Sequence, residues 1–439
     1  MKSFSILLTI FLLSFQSLHA QRTLLQSGPM VGYSEMREVM LWVQTTGPAT
    51  VQFSYWPKEH PDQVHHTRAY NTFKEEAYIA HLTADEVEPG THYEYQLHIN
   101  AKPVKLDYPA TFQTQVLWQW RTDPPEFTFA LGSCAYINET QYDRPGNPYG
   151  GEYEIFETIA GKNPDMMLWL GDNIYLREVD WYSWTGIVKR YNQARSLPQM
   201  QALLASTHHY AIWDDHDFGP DNSDRSFVHK DETLRAFNLF WANEGYGLPG
   251  LDGVTGQFQW ADVDFFLLDN RFHRSPDNRK TGDKTMFGKE QLEWLIDALA
   301  SSKAPFKFVV TGGVVLNSAQ GGENYVHLYP EERTWLLKQI EAEGIKNVIF
   351  LTGDVHYTEL SKLVLNNGNP VYDFTVSPIS SGVNTYATEN IFQVPGTNVR
   401  VRNFATIQVT GPRTQRTLTL RVFNSKGEEL WVQTIEQQQ

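Results

Sequence analysis

The chain has 439 residues and a formal net charge of −15. That is enough length for two or three domains, and the charge is wrong for a non-specific nucleic-acid binder. Its single cysteine, Cys134, excludes an intramolecular disulfide. The acidic balance does not exclude an anionic substrate, because a bound metal can dominate the local field.

Residues 1–20 open with Lys2, continue with an apolar stretch from Phe4 to Leu13 and close on Ser17-Leu18-His19-Ala20. This pattern predicts a secretory signal peptide cut near Ala20, hence an exported protein, periplasmic or secreted. The stretch is too short to span a bilayer comfortably, and no later segment is long and apolar enough to do so. Residues 21–114 then read as all-β, with short strands at Val39–Gln44, Val51–Trp56 and Tyr93–His98. Turn signals at Thr46-Gly47-Pro48 and Glu88-Pro89-Gly90 separate them. Such spacing predicts an immunoglobulin- or fibronectin-like sandwich, the fibronectin version being the better match. Residues 115–126 read as a linker ending in Pro124-Pro125. From Phe127 to Gln439 strands alternate with helical patterns, such as Gln291–Leu299 and Glu331–Ala342 around a strand at Phe306–Thr311. This part predicts an α/β domain. A β-hairpin, Thr417–Val422 with Leu430–Ile435, closes the chain.

Four apolar runs in that second part each end in a polar motif. They are Phe127–Cys134 (FTFALGSC), Met166–Tyr175 (MMLWLGDNIY), Tyr210–Asp217 (YAIWDDHD) and Val348–His356 (VIFLTGDVH). Uninterrupted apolar runs predict strands covered on both faces. Their polar ends then lie at the carboxyl edge of the sheet, where open α/β sheets build sites. Carboxylates, imidazoles, a thiol and a phenol converging there predict a metal site. Cys134 is read as a ligand, with a buried inert thiol as the alternative. In GDNIY, the two oxygens of Asp172 suit a bridge between cations. Tyr175, three residues on, offers a hard phenolate that favours Fe(III); packing of the ring is the alternative. In WDDHD, His216 stands among Asp214, Asp215 and Asp217, which predicts a raised pKa and a general-acid role. A cap cluster of aspartates on backbone amides is the alternative. Asn222, in the following turn, is a further candidate ligand. In GDVH, Asp354 and His356 at i and i+2 of an extended segment would face the same way. Arg271, in LLDNR, would fork onto a phosphate or pair with Asp269. His65-His66 and His208-His209 read as structural.

The combination of GSC, GDxxY, WDDHD, FxW…LLDNR, the FGKEQLEWL helix and GDVH resembles the alkaline phosphatase D (PhoD)-like family of metallophosphatases. These are relatives of the calcineurin-like phosphoesterases and purple acid phosphatases. The resemblance covers nearly all of the chain after residue 20. It implies a metallophosphatase sandwich of mixed β-sheets flanked by helices, preceded by the all-β domain. It also implies Cys134, Tyr175 and His356 on Fe(III), Asp172 as the bridge, Asp215 and Asp354 on a neighbouring Ca(II), and Arg271 on phosphate. Two departures stand out. Gly313-Val314-Val315 replaces a polar residue before an apolar pair, which leaves one ligand unassigned. The hairpin is not followed by the helix that covers the site in some members, which implies a more open entrance.

The reading is thus a metal-dependent hydrolase of phosphate esters acting through a metal-activated hydroxide, a phosphomonoesterase or phosphodiesterase on small molecules. A diesterase for phospholipids or polymers would use the same metal core. An adhesion or carbohydrate-binding protein on a decayed phosphatase scaffold is the reading from another class; the near-complete ligand set opposes it.

Overall fold

The computed structural model describes residues 24–319, 324–386 and 389–438; the expected signal peptide, residues 1–20, lies outside the described residues. Among the described residues nine strands precede the first motif strand: β1 (Leu25–Ser34), β2 (Val39–Thr45), β3 (Thr50–Pro57), β4 (His65–His66), β5 (Tyr70–Asn71), β6 (Ile79–Ala84), β7 (His92–Ile99), β8 (Lys102–Pro103) and β9 (Thr111–Gln113). The motif strands are β10 (Phe127–Gly132), β11 (Met166–Leu170) and β12 (His208–Ile212), then β13 (Gly256–Trp260), β14 (Val263–Leu267), β15 (Lys307–Val310) and β16 (Val348–Thr352). The remainder are β17 (Glu359–Val364), β18 (Pro370–Thr375), β19 (Asn403–Thr410), β20 (Thr417–Asn424) and β21 (Glu429–Glu436).

Two large sheets face each other. One has nine strands in the order β21-β20-β19-β10-β11-β12-β1-β2-β6, the other six in the order β13-β14-β15-β16-β18-β17. Strands β10, β11 and β12 run parallel, as do β14, β15, β16 and β18. Every residue of β11, β12 and β16 is buried, because the sheets cover one another on the inside and helices cover the outside. Phe129, Leu168, Phe265, Phe308 and Leu351 fill the space between the sheets.

Outside the nine-stranded sheet lie α1 (Glu154–Gly161), α2 (Trp184–Arg195) and α3 (Gln201–Ser206); the short α4 (Asp215–Phe218) follows β12, and α5 (Lys230–Phe240) packs beside it. Outside the six-stranded sheet lie α6 (Lys289–Ser301), α7 (Tyr325–Leu328) and α8 (Pro330–Ala342). Helix α6 shows why: Leu292, Leu295, Ile296 and Leu299 recur at helical spacing and all are buried.

The N-terminal strands are two-layered, but the layers are shared. Strands β3, β4, β7 and β8, with β5 and β9 alongside, form a third sheet. The opposing layer is β1, β2 and β6, which continue the nine-stranded sheet through the parallel pair β1–β12. Trp42 of β2 is buried, packs at a tilt against Phe240 of α5 and donates its indole N–H to the Leu239 carbonyl. Residues 114–126 contain no strand or helix.

Two buried histidines of β12 fix its place, His208 against β1 and β9 across this seam and His209 against β11 and α3. The Gln113 N–H donates to His208 Nε2 at 3.1 Å, so Nδ1 carries the proton and donates to the Gly32 carbonyl at 2.8 Å. Trp169 Nε1–H donates to His209 Nδ1 at 2.9 Å, and Nε2 then donates to the Leu203 carbonyl at 3.1 Å. Both rings are thereby neutral. Burial pushes their pKa values down, to about 4 for His208 and about 3 for His209.

An unfolded histidine titrates near 6.5. Between that pH and about 4 the unfolded chain binds more protons than the native one, so stability falls as pH falls, by about 1.4 kcal/mol per unit for each ring. Urea unfolding at pH 7, 6 and 5 should show this loss. His209→Gln, which keeps an acceptor and a donor, should lose less stability over that interval than the wild type. Identical slopes would exclude His209 as a source.

Candidate metal centre

Each motif strand turns sharply at its carboxyl end. Cys134, Asp172, Asp354 and His356 all take positive φ, at 60°, 52°, 71° and 60°, and Asn222 does so at 58°. Left-handed backbone is costly for residues with a Cβ, and its clustering marks a site whose surroundings over-determine it. At the end of β11, Gly171 has φ 93°, and a Cβ there would come within 2.8 Å of Asp214 Cβ.

The turns bring two groups of donors together. Cys134, Asp172 and His356 offer ligand atoms within 4.8 Å of one another, as do Asp172, Asp215 and His216. Asp172 belongs to both. Its Oδ2 faces the Cys134 thiol at 3.5 Å and accepts from the Tyr175 hydroxyl at 3.1 Å, while Oδ1 accepts from the His216 backbone N–H at 3.3 Å. The Tyr175 hydroxyl is also 3.3 Å from His356 Nε2. Asp172, Asp215, His216, Asn222, Asp354 and His356 line a single cavity of about 630 Å³.

The charges at this edge are neutralised unequally. Asp217 accepts from the backbone N–H groups of Asn173, Ile174 and Asp214. Burial still raises its pKa, to about 7. Asp215 is also buried, but His216, Arg271, the Asn222 N–H at 2.6 Å and Arg274 outweigh the burial and hold its carboxyl below its usual value. Asp172 has no such help: burial, then Asp215, Asp214, Asp217 and Asp354, push its pKa well up. Burial and Asp172 likewise raise Cys134 and Tyr175. Burial, then His216, lowers His356 to about 4, so its ring is neutral and able to ligate. His216 Nδ1 is buried without a hydrogen-bond partner. An orphaned imidazole nitrogen beside carboxylates, a thiol and a phenol fits a cation site.

Several expectations change in this geometry. Arg271 does not reach the cavity. It is fully buried; its Nε and Nη2 both lie 2.5 Å from Asp214 Oδ1, and Nη1 donates to the Ser223 carbonyl. Its ion pair is with Asp214 rather than with Asp269. Asp269 instead accepts from the backbone N–H groups of Arg271 and Phe272 and from the Trp213 indole. Of its three acidic sequence neighbours His216 keeps only Asp215 beside it in the site, where Asp172 and Asp221 join it. On the short α4, Asp214 and Asp217 form a reciprocal cap and turn away, while Asp215 and His216 face the site. The ring lies 4.3 Å from that of Tyr175, and Nε2 is 3.6 Å from Asp221. Asp354 and His356 are not on an extended segment: both have positive φ, and His356 alone joins the Cys134 group.

The glycine at the end of β15 also has a physical reason. A Cβ on Gly312 would meet the Asp214 carboxylate at 2.5 Å and Asn270 Nδ2 at 2.9 Å. The buried Asp214–Asn270–Arg271 cluster occupies the space a side chain would need.

Other contributors carried no motif. The Tyr149 hydroxyl is 3.0 Å from His356 Nδ1, and the Ser377 hydroxyl 3.2 Å from Cys134 Sγ. A tyrosine in a loop (Asn147-Pro148-Tyr149-Gly150) and a serine after β18 have no strand-end signature by which to be found.

The fold is that of the metallophosphatases. A solved structure of PhoD superposes with a TM-score of 0.78 at 19% identity, over 94% of this chain and 91% of that one. Purple acid phosphatase PPD1 from yellow lupin (Lupinus luteus) seeds superposes with a TM-score of 0.63 at 13% identity, over 93% of this chain and 74% of that one. In sequence, residues 249–417 match the PhoD-like phosphatase family and residues 22–117 a domain of unknown function (DUF7800). Alkaline phosphatase D of Bacillus subtilis (strain 168) is 24% identical over 339 residues, 65% of this chain and 54% of that protein. The match therefore spans about half the length of that relative. The chain thus resembles the PhoD-like phosphatases, in sequence over residues 249–417 and in fold over nearly its whole length.

Removing the Arg271 guanidinium would leave Asp214 as an uncompensated buried charge. Arg271→Met should therefore lower stability by about 3–5 kcal/mol, measured by urea unfolding. A variant as stable as the wild type would mean that the pair is not structural.

Proposed function

We propose that the protein is an exported, metal-dependent phosphoric ester hydrolase with two adjacent cation positions. The observation that carries this is the pair of donor triads sharing Asp172 at the floor of one cavity. Export rests on the pattern of residues 1–20.

Cys134, Tyr175 and His356, with Asp172, would hold one cation. Anionic sulfur and phenolate donors suit Fe(III). Asp215 and His216, with Asp172 and the cavity-lining Asn222 and Asp354, would hold the other; its oxygen donors suit Ca(II). In this arrangement His216 is a ligand, which replaces the leaving-group role expected from its acidic neighbours. Bound cations supply Lewis acidity, neutralising phosphate charge and acidifying water.

The chain's own groups do the rest. Tyr149 fixes the His356 ring through Nδ1, so that Nε2 faces the donors. Ser133 and Ser377 hold the Cys134 sulfur. Arg271 acts through Asp214 and Asp215 as a positioning residue, its Nη2 being 3.8 Å from Asp215.

Because burial raises the pKa values of Cys134 and Tyr175 above their already high ordinary values, thiol and phenol hold protons at neutral pH until a cation displaces them. Metal uptake should release protons and tighten as pH rises, measurable with a pH-indicator dye. Hydrolysis of p-nitrophenyl phosphate, or of its bis ester, should be lost to chelator and regained on adding iron and calcium. Activity that survives a metal-free preparation would overturn the proposal. With iron bound through a phenolate the protein should absorb visible light, and Tyr175→Phe should bleach or shift that band. A colourless active enzyme containing only zinc would remove iron from the assignment.

A further inference from the structure

A second cavity, of about 200 Å³, lies on the other side of Tyr149 and His216 from the carboxylate cluster. Tyr175 and Arg177 line it, and Tyr149, His216 and Asp221 border both cavities. Arg177 is only 6% exposed. Its Nε is buried and makes no hydrogen bond. Among the described residues its one ion-pair partner is Glu178, 3.6 Å away on a half-exposed side chain, where water screens the attraction.

Other buried arginines are differently placed. Arg190 is held by Asp180 and Glu139, Arg195 by the Phe240 carbonyl, Arg271 by Asp214 and Arg416 by Asp262. A guanidinium removed from water without such a partner is costly, and an anionic ligand is the group that completes it.

The surroundings hold Arg177 ready. Asp180 Oδ2 accepts from the Arg177 backbone N–H at 2.9 Å and from Arg190 Nε at 2.8 Å, which pins the turn that carries the side chain. The carboxylates lining the same cavity do not compete for the guanidinium. Asp143 is turned to the wall, where it accepts from the Tyr136 hydroxyl and the Glu139 N–H. Asp221 is largely exposed and lies beside His216. Arg144 adds a second positive charge to the lining.

We propose that Arg177 forms a subsite for a second anionic group of the substrate, a carboxylate or a further phosphate, distinct from the ester over the carboxylate cluster. This rests on the function proposed above. The enzyme would then prefer phosphate esters of acidic alcohols over those of neutral ones.

The test uses the metal-loaded full-length protein. Alkyl phosphonates of two to four carbons are compared with ω-carboxyalkyl phosphonates and alkylene bisphosphonates of the same length. Inhibition of p-nitrophenyl phosphate hydrolysis is read alongside binding by calorimetry. At one of these lengths the second anionic group should tighten binding about ten- to hundred-fold, the range for hydrogen bonds to a charged group. In Arg177→Met that ratio should fall to about one, and in Arg177→Lys it should be intermediate. A gain from bisphosphonates alone identifies a second phosphate; a gain from both series supports any second anion. Equal affinity at every length in the wild type overturns the subsite, as does a ratio unchanged in Arg177→Met. A protein that neither hydrolyses the ester nor binds any phosphonate overturns the function itself.

Discussion

Five carboxylates, those of Asp172, Asp214, Asp215, Asp217 and Asp354, converge on the edge where the two sheets meet, and the first four are buried there. A low-dielectric interior does not tolerate that much like charge without compensation, and each acid is answered in a different way. Arg271 and Asn270 hold Asp214. Three backbone N–H groups hold Asp217. Asp215 takes an N–H from Asn222 and the field of Arg271. Asp172 is left with a hydroxyl, a thiol and one N–H. The charge that the protein does not balance lies between two groups of ligand atoms, which is where cations are useful.

The same constraint shapes the backbone. Donors on four different strand ends converge, and at three of them, after β10, β11 and β16, the positive φ values of Cys134, Asp172, Asp354 and His356 record an abrupt turn. Such conformations persist because the strands behind them are buried on both faces and tightly packed. The glycines at 171 and 312 serve the same end, since a side chain at either would displace Asp214.

The all-β segment is part of this frame rather than an appendage. Strand β1 lies between β12, which leads into Asp215 and His216, and β2. The neutral ring of His208 ties the seam by hydrogen bonds to Gln113 and Gly32 whose directions admit only one tautomer. A wall of aromatic rings, Tyr136, Tyr149 and Tyr175 within 4.8–6.3 Å of one another, then stands at the rim of the site. Arg177 lies beyond it and Arg271 behind it; they differ in partners, not in chemistry.

The sequence by itself determined the architecture and most of the donors. The apolar runs Met166–Leu170 and Val348–Thr352 announced two-sided burial, so their polar ends had to sit at a sheet edge, and Asp172, Asp215 and His356 do. Strand β1 was not legible, because Gly28-Pro29 and Gly32 break a strand pattern; Gly32 is there because a Cβ would lie 2.4 Å from that of Ala242, a contact made only in the folded chain. Only the tertiary structure decided which acids face the site. Asp214, Asp215 and Asp217 are equivalent as letters, yet one turn of helix α4 directs the first and last inward to cap it and leaves Asp215 beside His216. It likewise decided that Arg271 is held by Asp214, 57 positions away, while Arg177, two residues beyond GDNIY, lines the second cavity. Periodicity reports which face of an element is buried, but a side chain's partner depends on what arrives from elsewhere in the chain.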